Sequence, residues 1–427
     1  MPDAPRKGSL AVLFLTVFID LLGFGIVLPL LPIYGKFFSG DATAQSWMLG
    51  LLMASFSAMQ FLFAPVWGRI SDSIGRRPVL MVGLLGSVVF YTMFGLATAY
   101  QSLTWLFVAR IGAGIFGATI STAQAYIADS TSLEGRTKGM ALIGAAFGLG
   151  FTFGPLVGAL AFVSGSPTQA PSALPGFIAA GLSAFALLLA VFKLPESLRP
   201  DSRPSTHTWL DLKALRRALT VPSIGMLLLA SFVCVFSFGN FEMTLSILLK
   251  ADQASDAFRF NFNFREVCLT FAFIGFVLML VQGGIVRRLA GRISEGVLAA
   301  SGAAVEVAGF LLMIQAIRTA STELLFVALA MVVAGFAFLT PSIHALISRR
   351  SDPAWQGGVL GLNQSVNSLA RIVAPLVALP LFHIGETWPF WLAAILMAFG
   401  GIFVLAAARR GKDFEIEAAP EATRTSE

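Results

Sequence analysis

Gly68-Arg69-Ile70-Ser71-Asp72-Ser73-Ile74-Gly75-Arg76-Arg77 is a short, charged, glycine-containing link between two long apolar runs, Trp47–Trp67 before it and Val79–Ala99 after it. Each run matches the about 20 apolar residues that a helix needs to cross the hydrocarbon core of a bilayer. A link this short leaves its two helices no room to separate, so they read as antiparallel neighbours in a membrane. The stretch therefore favours a bundle of spanning helices over one large soluble core.

Composition agrees. Of 427 residues, 56% are hydrophobic and 12% charged, against about 25% charged in a soluble domain. Phe is abundant (39) and Tyr scarce (4), as suits side chains that face hydrocarbon rather than an interface. Cys234 and Cys268 both fall in apolar runs, so no disulfide framework is indicated. The first apolar run follows Met-Pro-Asp-Ala-Pro-Arg-Lys and lacks a clear small-residue cleavage site; it reads as a retained helix rather than a removed signal peptide. The net charge of +6 does not call for nucleic acid, because the charges lie in links between spans, where a membrane explains their asymmetry. No metal-ligand spacing, phosphate-binding loop, nucleophile elbow or ATP-binding signature occurs. No catalytic residue, metal ligand or cofactor is therefore assigned, and the chain does not read as an enzyme.

Run lengths give about twelve spans, between Leu10 and Ala408. Of the 29 Lys and Arg residues, 22 fall in links on one side of these spans, five on the other, and two, Arg110 and Arg371, inside spans. The positive-inside rule then places both termini in the cytoplasm, which requires an even number of spans. A long polar segment divides the spans six and six. The expected organisation is an N-terminal six-helix bundle over residues 1–194, a linker over 195–222, a C-terminal six-helix bundle over 223–409, and a disordered cytoplasmic tail over 410–427. Within the linker, Thr208-Trp209-Leu210-Asp211 has the form of a helix start. Leu212, Leu215 and Leu219 follow at helical spacing opposite Lys213, Arg216 and Arg217. The segment reads either as an amphipathic helix on the inner membrane face or as an ordinary solvated linker.

The halves look like repeats. Gly68-x3-Asp72-x2-Gly75-Arg76 is matched by Gly284-x3-Arg288-x2-Gly291-Arg292, and Gly154-Pro155-Leu156-Val157 by Ala374-Pro375-Leu376-Val377. Parallel repeats of this kind put a substrate site near mid-membrane, between the halves.

Several polar residues lie where burial is costly. Asp20 is about ten residues into the first span, so ~15 Å deep; a carboxylate there must be paired, protonated or hydrated. It reads as a proton or cation-substrate site, or else as a structural acid bonded to nearby backbone. Asn240 falls at the corresponding place of the second half, so the acid is not repeated. Arg110, in Arg110-x-Gly112-x-Gly114-x-x-Gly117-Ala118 of the fourth span, stays charged and needs an anion or water. Gly150, Gly154 and Gly158 recur every four residues in the fifth span and form a smooth strip for close helix packing, while Pro155 frees a carbonyl and permits a bend. Gln60, Gln124, Glu242, Gln282, Glu306, His344, Asn363, Gln364, Asn367 and Arg371 complete the intramembrane set; Arg371 is placed to meet an anionic substrate.

The link at Gly68 resembles the loop between the second and third helices of the major facilitator superfamily, G-x-x-x-D-x-x-G-R-[KR]. The run Gly150 to Gly158 is similar to that superfamily's antiporter motif, with Ala159 in place of its last glycine. Asp20-Leu21-Leu22-Gly23-Phe24-Gly25-Ile26-Val27-Leu28-Pro29, Tyr126-Ile127-Ala128-Asp129 and Glu134-Gly135-Arg136 resemble the tetracycline-resistance-type drug:proton antiporters. The resemblance implies an all-α membrane protein of twelve helices in two pseudo-symmetric six-helix bundles. It implies alternating access, with proton-coupled efflux of amphiphilic organic compounds as the leading activity. Organic anion transport is the second reading and a non-transporting membrane receptor the third. It implies a proton gradient in place of a cofactor, small-molecule substrate, protons and lipid as partners, a monomer, and the inner membrane of a bacterium. Helices one and four are neighbours in that architecture, so Arg110 is expected to pair with Asp20, either as a pair for which substrate or proton competes or as a permanent structural salt bridge. Gln124, Asn240, Glu242 and Arg371 join them as candidate substrate or coupling residues. Gly68, Asp72, Gly75, Arg76 and Asp129 are expected to form a cytoplasmic latch. Its second-half equivalents, Arg288 and Arg349, are both positive, which makes the expected latch one-sided. Glu306, on a helix that is peripheral in this fold, is expected to serve packing or to be hydrated at the lipid edge.

Overall fold

The computed structural model describes residues 7–27, 42–162, 172–198, 222–249, 260, 262, 264–411 and 413–414. Twelve helical columns run through them. They are α1 (Lys7–Val27), α2 (Ala42–Ile74), α3 (Arg76–Ala99), α4 (Leu103–Asp129), α5 (Arg136–Phe162), α6 (Leu174–Lys193), α7 (Pro222–Leu249), α8 (Phe264–Leu280), α9 (Glu295–Thr319), α10 (Thr322–Arg349), α11 (Gln356–Ile384) and α12 (Trp388–Arg410). Column α4 tightens into a 3-10 turn at Gly117–Thr119, and α8 continues through a π segment, Val281–Val286, to Arg287–Leu289. Among the described residues nine helices are long and apolar enough to cross a membrane. Helices of the bundle carry Leu62, Leu85, Phe185, Leu188, Phe192, Val327, Phe399 and Ile402, all exposed, apolar side chains of the kind that lipid covers. The chain is an all-α integral membrane protein. The amphipathic segment at Thr208–Leu219 lies outside the described residues.

The opening stretch is not a loop. Helix α2 runs through Ile74 and α3 starts at Arg76, so Gly75 alone turns the chain, at φ +114°. A side chain at that dihedral clashes with its own backbone, hence the glycine. The charged residues on either side remain in helix because they are buried against protein: Arg69, Asp72 and Arg76 are 5%, 1% and 0% exposed.

The repeat appears in the backbone itself. The described residues with positive φ form two pairs, Gly75 with Gly291 and Gln101 with Ala320. Each member of the second pair precedes a serine, Ser102 or Ser321, whose side chain caps the next helix by accepting from Trp105 N or Leu324 N. The same hairpin thus joins α3 to α4 and α9 to α10.

Lipid offers no hydrophobic drive to pair helices, so close approach over small residues does the work. Within the first half, α1 and α5 meet backbone to backbone: a methyl at Gly154 would lie 2.6 Å from Gly25 Cα. In the second half Gly239 of α7 faces Ala374 of α11 more loosely, a methyl there lying 3.3 Å from the Ala374 Cβ. Two seams join the halves. Along α2 and α11, Gly68 meets Gly357, Gly361 meets Ala64, and Ser365 bonds to the Phe61 carbonyl. Along α5 and α8, Gly148 meets Gly275 and Met279, and Gln282 packs on Gly144.

Replacing Gly154 by valine drives three carbon atoms into the α1 backbone. Overpacking of this kind costs about 1–3 kcal/mol. The variant is expected to melt several degrees lower in detergent, as read by tryptophan fluorescence, while Gly181→Ala, where nothing lies within 4 Å, melts with the parent.

Candidate transport site and its latches

Three helix ends and a following strand of chain build the first latch. Arg76, the first residue of α3, sends Nη1 to Asp72 and to Ser71 Oγ (2.8 Å), and Nε to Asp129 Oδ2 at the end of α4 (3.0 Å). The backbone amides of Arg76 and Arg77 donate to Glu196, 2.9 and 3.2 Å, just past α6. Asp72 also reaches across the interface. Its two oxygens accept from Gly357 N and Gly358 N, both at 2.9 Å. A carboxylate thus caps the N-terminus of α11, where unpaired amides and the helix dipole favour negative charge. Gly68 permits the contact, since a methyl there would meet the Gly357 carbonyl carbon at 2.8 Å. All five residues read as a latch from the sequence come together.

The second half is not latch-free, which corrects the one-sided expectation. Arg349, ending α10, bonds to Glu295, the first residue of α9 (2.7 Å), and to Asp413 beyond α12 (2.6 Å). The positions correspond: Glu295 to Arg76, Arg349 to Asp129, and Asp413 to Glu196, since each of the last two lies three residues past its helix end, Arg410 or Lys193. The charges at the first two places are exchanged. The sequence comparison overlooked this because it paired Arg288 with Asp72 and sought an acid there, whereas the acids come from Glu295 and the tail. Of the stretch expected as tail, Arg410 ends α12 and Phe414 N donates to the Arg349 carbonyl (3.0 Å); residues 415–427 lie outside the described residues. Arg136 Nη1 to Ser348 Oγ (3.2 Å) and Thr137 Oγ1 to Glu295 (3.3 Å) tie the halves together beside it. The basic face is closed.

Deeper in the first half, Asp20 is half-buried. It accepts from Ser183 Oγ of α6 (3.3 Å), with Ser87 of α3 also beside the carboxylate. Arg110 is not its partner. The Arg110 guanidinium lies 4.6 Å over the Phe56 ring of α2, and its Nε has no partner. The ring face attracts the cation, and Gly114 lets α4 approach α2 closely enough to reach it, a methyl there meeting Phe56 Cα at 3.0 Å. Serines supply the donors that the arginine was expected to supply. Tyr91 lies within the electrostatic reach of both charges and packs on Gly23, one turn from Asp20.

The second half has its own version of this pocket. Gly239 and Ala374 repeat the contact of Gly25 and Gly154, so five residues back from each first member, Cys234 stands where Asp20 does. Asn240 is therefore about a turn and a half too far along to be the counterpart; it donates to the Pro389 carbonyl of α12 (3.3 Å) and ties two helices. Glu306 lies eleven residues past Glu295, as Ser87 lies eleven past Arg76. It is 0% exposed, with both oxygens unpartnered, and sits within electrostatic reach of Cys234. Of the two expectations for Glu306, full burial leaves packing and removes hydration at the lipid edge; the buried acid of the second half stands on α9 instead of α7. The signal, a lone acid inside an apolar run, was visible; its register was not.

Between the halves, Gln124 of α4 and His344 of α10 share a hydrogen bond of 3.1 Å. Arg371 of α11 is exposed at mid-helix, with Glu242 of α7 and His344 within its electrostatic reach. Ser231 bonds to Asn367 (2.8 Å). Gly150 and Gly154 contact α1, while Pro155 and Gly158 continue the same helix. Among the described residues no cluster of metal-ligating side chains occurs.

Paired six-helix halves, a latched face and polar side chains between the bundles are the arrangement of a secondary transporter. The sequence pattern of the Major Facilitator Superfamily matches residues 13–375, and the chain belongs to that superfamily. It is 31% identical over 413 residues to the class C tetracycline resistance protein of Escherichia coli, covering 95% of this chain and 97% of that protein. It is also 31% identical to major facilitator superfamily domain-containing protein 10 of Bos taurus, with 88% and 87% covered. The crystal structure of the human organic anion transporter MFSD10 (TETRAN) superposes with a TM-score of 0.81 at 27% identity, over 95% of this chain and 100% of that one.

The exchanged polarity is testable by reversal. Arg349→Glu alone is expected to lower transport and stability. Restoring an opposite charge with Glu295→Arg is expected to recover part of the loss, with a coupling of about 0.5–3 kcal/mol in a double-mutant cycle of unfolding midpoints.

Proposed function

We propose that the chain exports amphiphilic organic compounds across a bacterial inner membrane in exchange for protons, by alternating access, with the basic face cytoplasmic. The observation that carries this reading is Asp20: a carboxylate deep in the first bundle, held by serine hydroxyls and not locked to Arg110. A serine hydroxyl both donates and accepts, so it serves the charged and the protonated acid alike. Such an acid can load and release a proton without breaking a permanent ion pair. Glu306, in the matching pocket, supplies a second buried acid, and the proton gradient takes the place of a cofactor. The latches supply the bistable element that alternating access needs: with Asp72 on α11 the cytoplasmic face is shut, and with that cap withdrawn it opens. The match to tetracycline resistance proteins over nearly their whole length supports drug-like cargo. The exporter is read as a monomer, each half supplying one side of the cleft.

A specific feature favours a second reading, movement of an organic anion. Arg371 has Glu242 within electrostatic reach as its counter-charge, and an anionic substrate would exchange for that glutamate; the relative that is an organic anion transporter supports it.

Inverted vesicles separate the two. Tetracycline uptake that collapses with an uncoupler supports export by proton exchange; electrogenic flux of a carboxylate dye, lost in Arg371→Gln, supports the second. Asp20→Asn is expected to abolish proton-driven uptake, at least tenfold, with an unchanged melting profile. Undiminished uptake in that variant would remove Asp20 from the proton path.

A further inference from the structure

The Gln124–His344 hydrogen bond is a side-chain contact between the bundles, 220 residues apart in sequence and buried. Both residues stand five positions from the latch end of their helices, Asp129 and Arg349. The bond therefore lies one layer inside the seal. His344 is 8% exposed, its Nε2 has no partner, and neither has Gln124 Oε1. Charged groups on the helices packed against α10 include Glu295 and Glu306 on α9, Glu242 on α7, Arg136 and Lys138 on α5, Arg287 and Arg288 on the α8 column, and Arg371 on α11; the charge acting on the imidazole is that of Arg371.

Neutral imidazole suits this site. One ring nitrogen meets the amide, and the other is left in a dry space. In the neutral ring Nδ1 accepts from the Gln124 amide; an imidazolium would turn that nitrogen into a donor facing the amide N–H and would place a buried cation within reach of a guanidinium with no anion opposite, which is costly. When the bundles part on this face, the same ring meets water and the penalty disappears.

We propose that His344 is a coupling residue of the transport cycle: the bundles close over the basic face only when its imidazole is neutral, so release of its proton to that side permits closure. The inference rests on the alternating-access reading. It has the sign that antiport requires, since the face that has loaded cargo shuts only after a proton has left on the same side. Gln124 serves as its positioning residue.

The test is a distance across the closing face. Spin labels at Lys138→Cys and Arg292→Cys, both exposed and on opposite bundles, in a Cys234→Ser, Cys268→Ser background, report closure by pulsed dipolar spectroscopy in nanodiscs. Since an exposed histidine titrates near about pH 6.5, the closed-to-open ratio is expected to fall about tenfold per pH unit below that value. His344→Gln, which keeps a hydrogen-bonding side chain but cannot charge, is expected to be flat between pH 5 and 8. Asp20→Asn keeps the slope, which separates this proton from the deeper one. A slope that survives in His344→Gln overturns the proposal, as does a parent protein that responds to tetracycline but not to pH. A distance fixed under every condition overturns the alternating-access reading itself.

Discussion

The carboxylate of Asp72 on the second and third amides of α11 is the contact around which the closed face is organised. It joins a side chain of one bundle to the backbone of the other, at a helix terminus where four amides lack intrahelical partners. The acid is held from behind by Arg76, which is held in turn by Asp129 and Ser71. Buried ion pairs contribute little net stability, because desolvation offsets their attraction. Their value here is directional. Each charge is satisfied only in one arrangement of the helix ends, so the closed face is a defined state and not a continuum of loose contacts.

The two halves solve this problem with opposite charges. In the first, the third helix opens with an arginine and the fourth ends with an acid; in the second, the third helix opens with Glu295 and the fourth ends with Arg349. The geometry has kept its places while the chemistry at each has been exchanged. The same holds deeper down, where the acid of one pocket is on the first helix of its half and the acid of the other on the third. Symmetry at the level of fold thus coexists with asymmetry of charge. That asymmetry shows at the seams: the first half caps the α11 amides with Asp72, while the second half offers the start of α5 only Glu295, which accepts from the Thr137 hydroxyl.

Much of the architecture was legible in the sequence. Run length and the Lys and Arg bias are strong signals because lipid tolerates neither a short span nor a stray charge, and they gave the twelve helices and the closing face. The Gly150–Gly154 strip was legible because four-residue spacing puts small residues on one side of a helix. Side-chain partners were not. Depth alone suggested that Arg110 meets Asp20, but depth ignores azimuth, and the two residues point to different neighbours, the Phe56 ring and the α6 serine. Asn240 was placed by counting from the span start, an origin less secure than the packing contact of Gly239 on Ala374. The Arg349 cluster was hidden because its acids come from the start of one helix and from a tail with no apolar pattern to announce it.

The tail has a practical consequence for handling the protein. Asp413 and Phe414, which complete the second latch, stand only three and four residues past the end of the last helix. An affinity handle or fluorescent fusion joined directly after Arg410 would replace that acid with foreign sequence, and the purified carrier would sample its open face more than the native one does. A handle before Lys7 leaves both latches intact, and inhibitors or binders raised against protein prepared in that way would be selected on the resting shape.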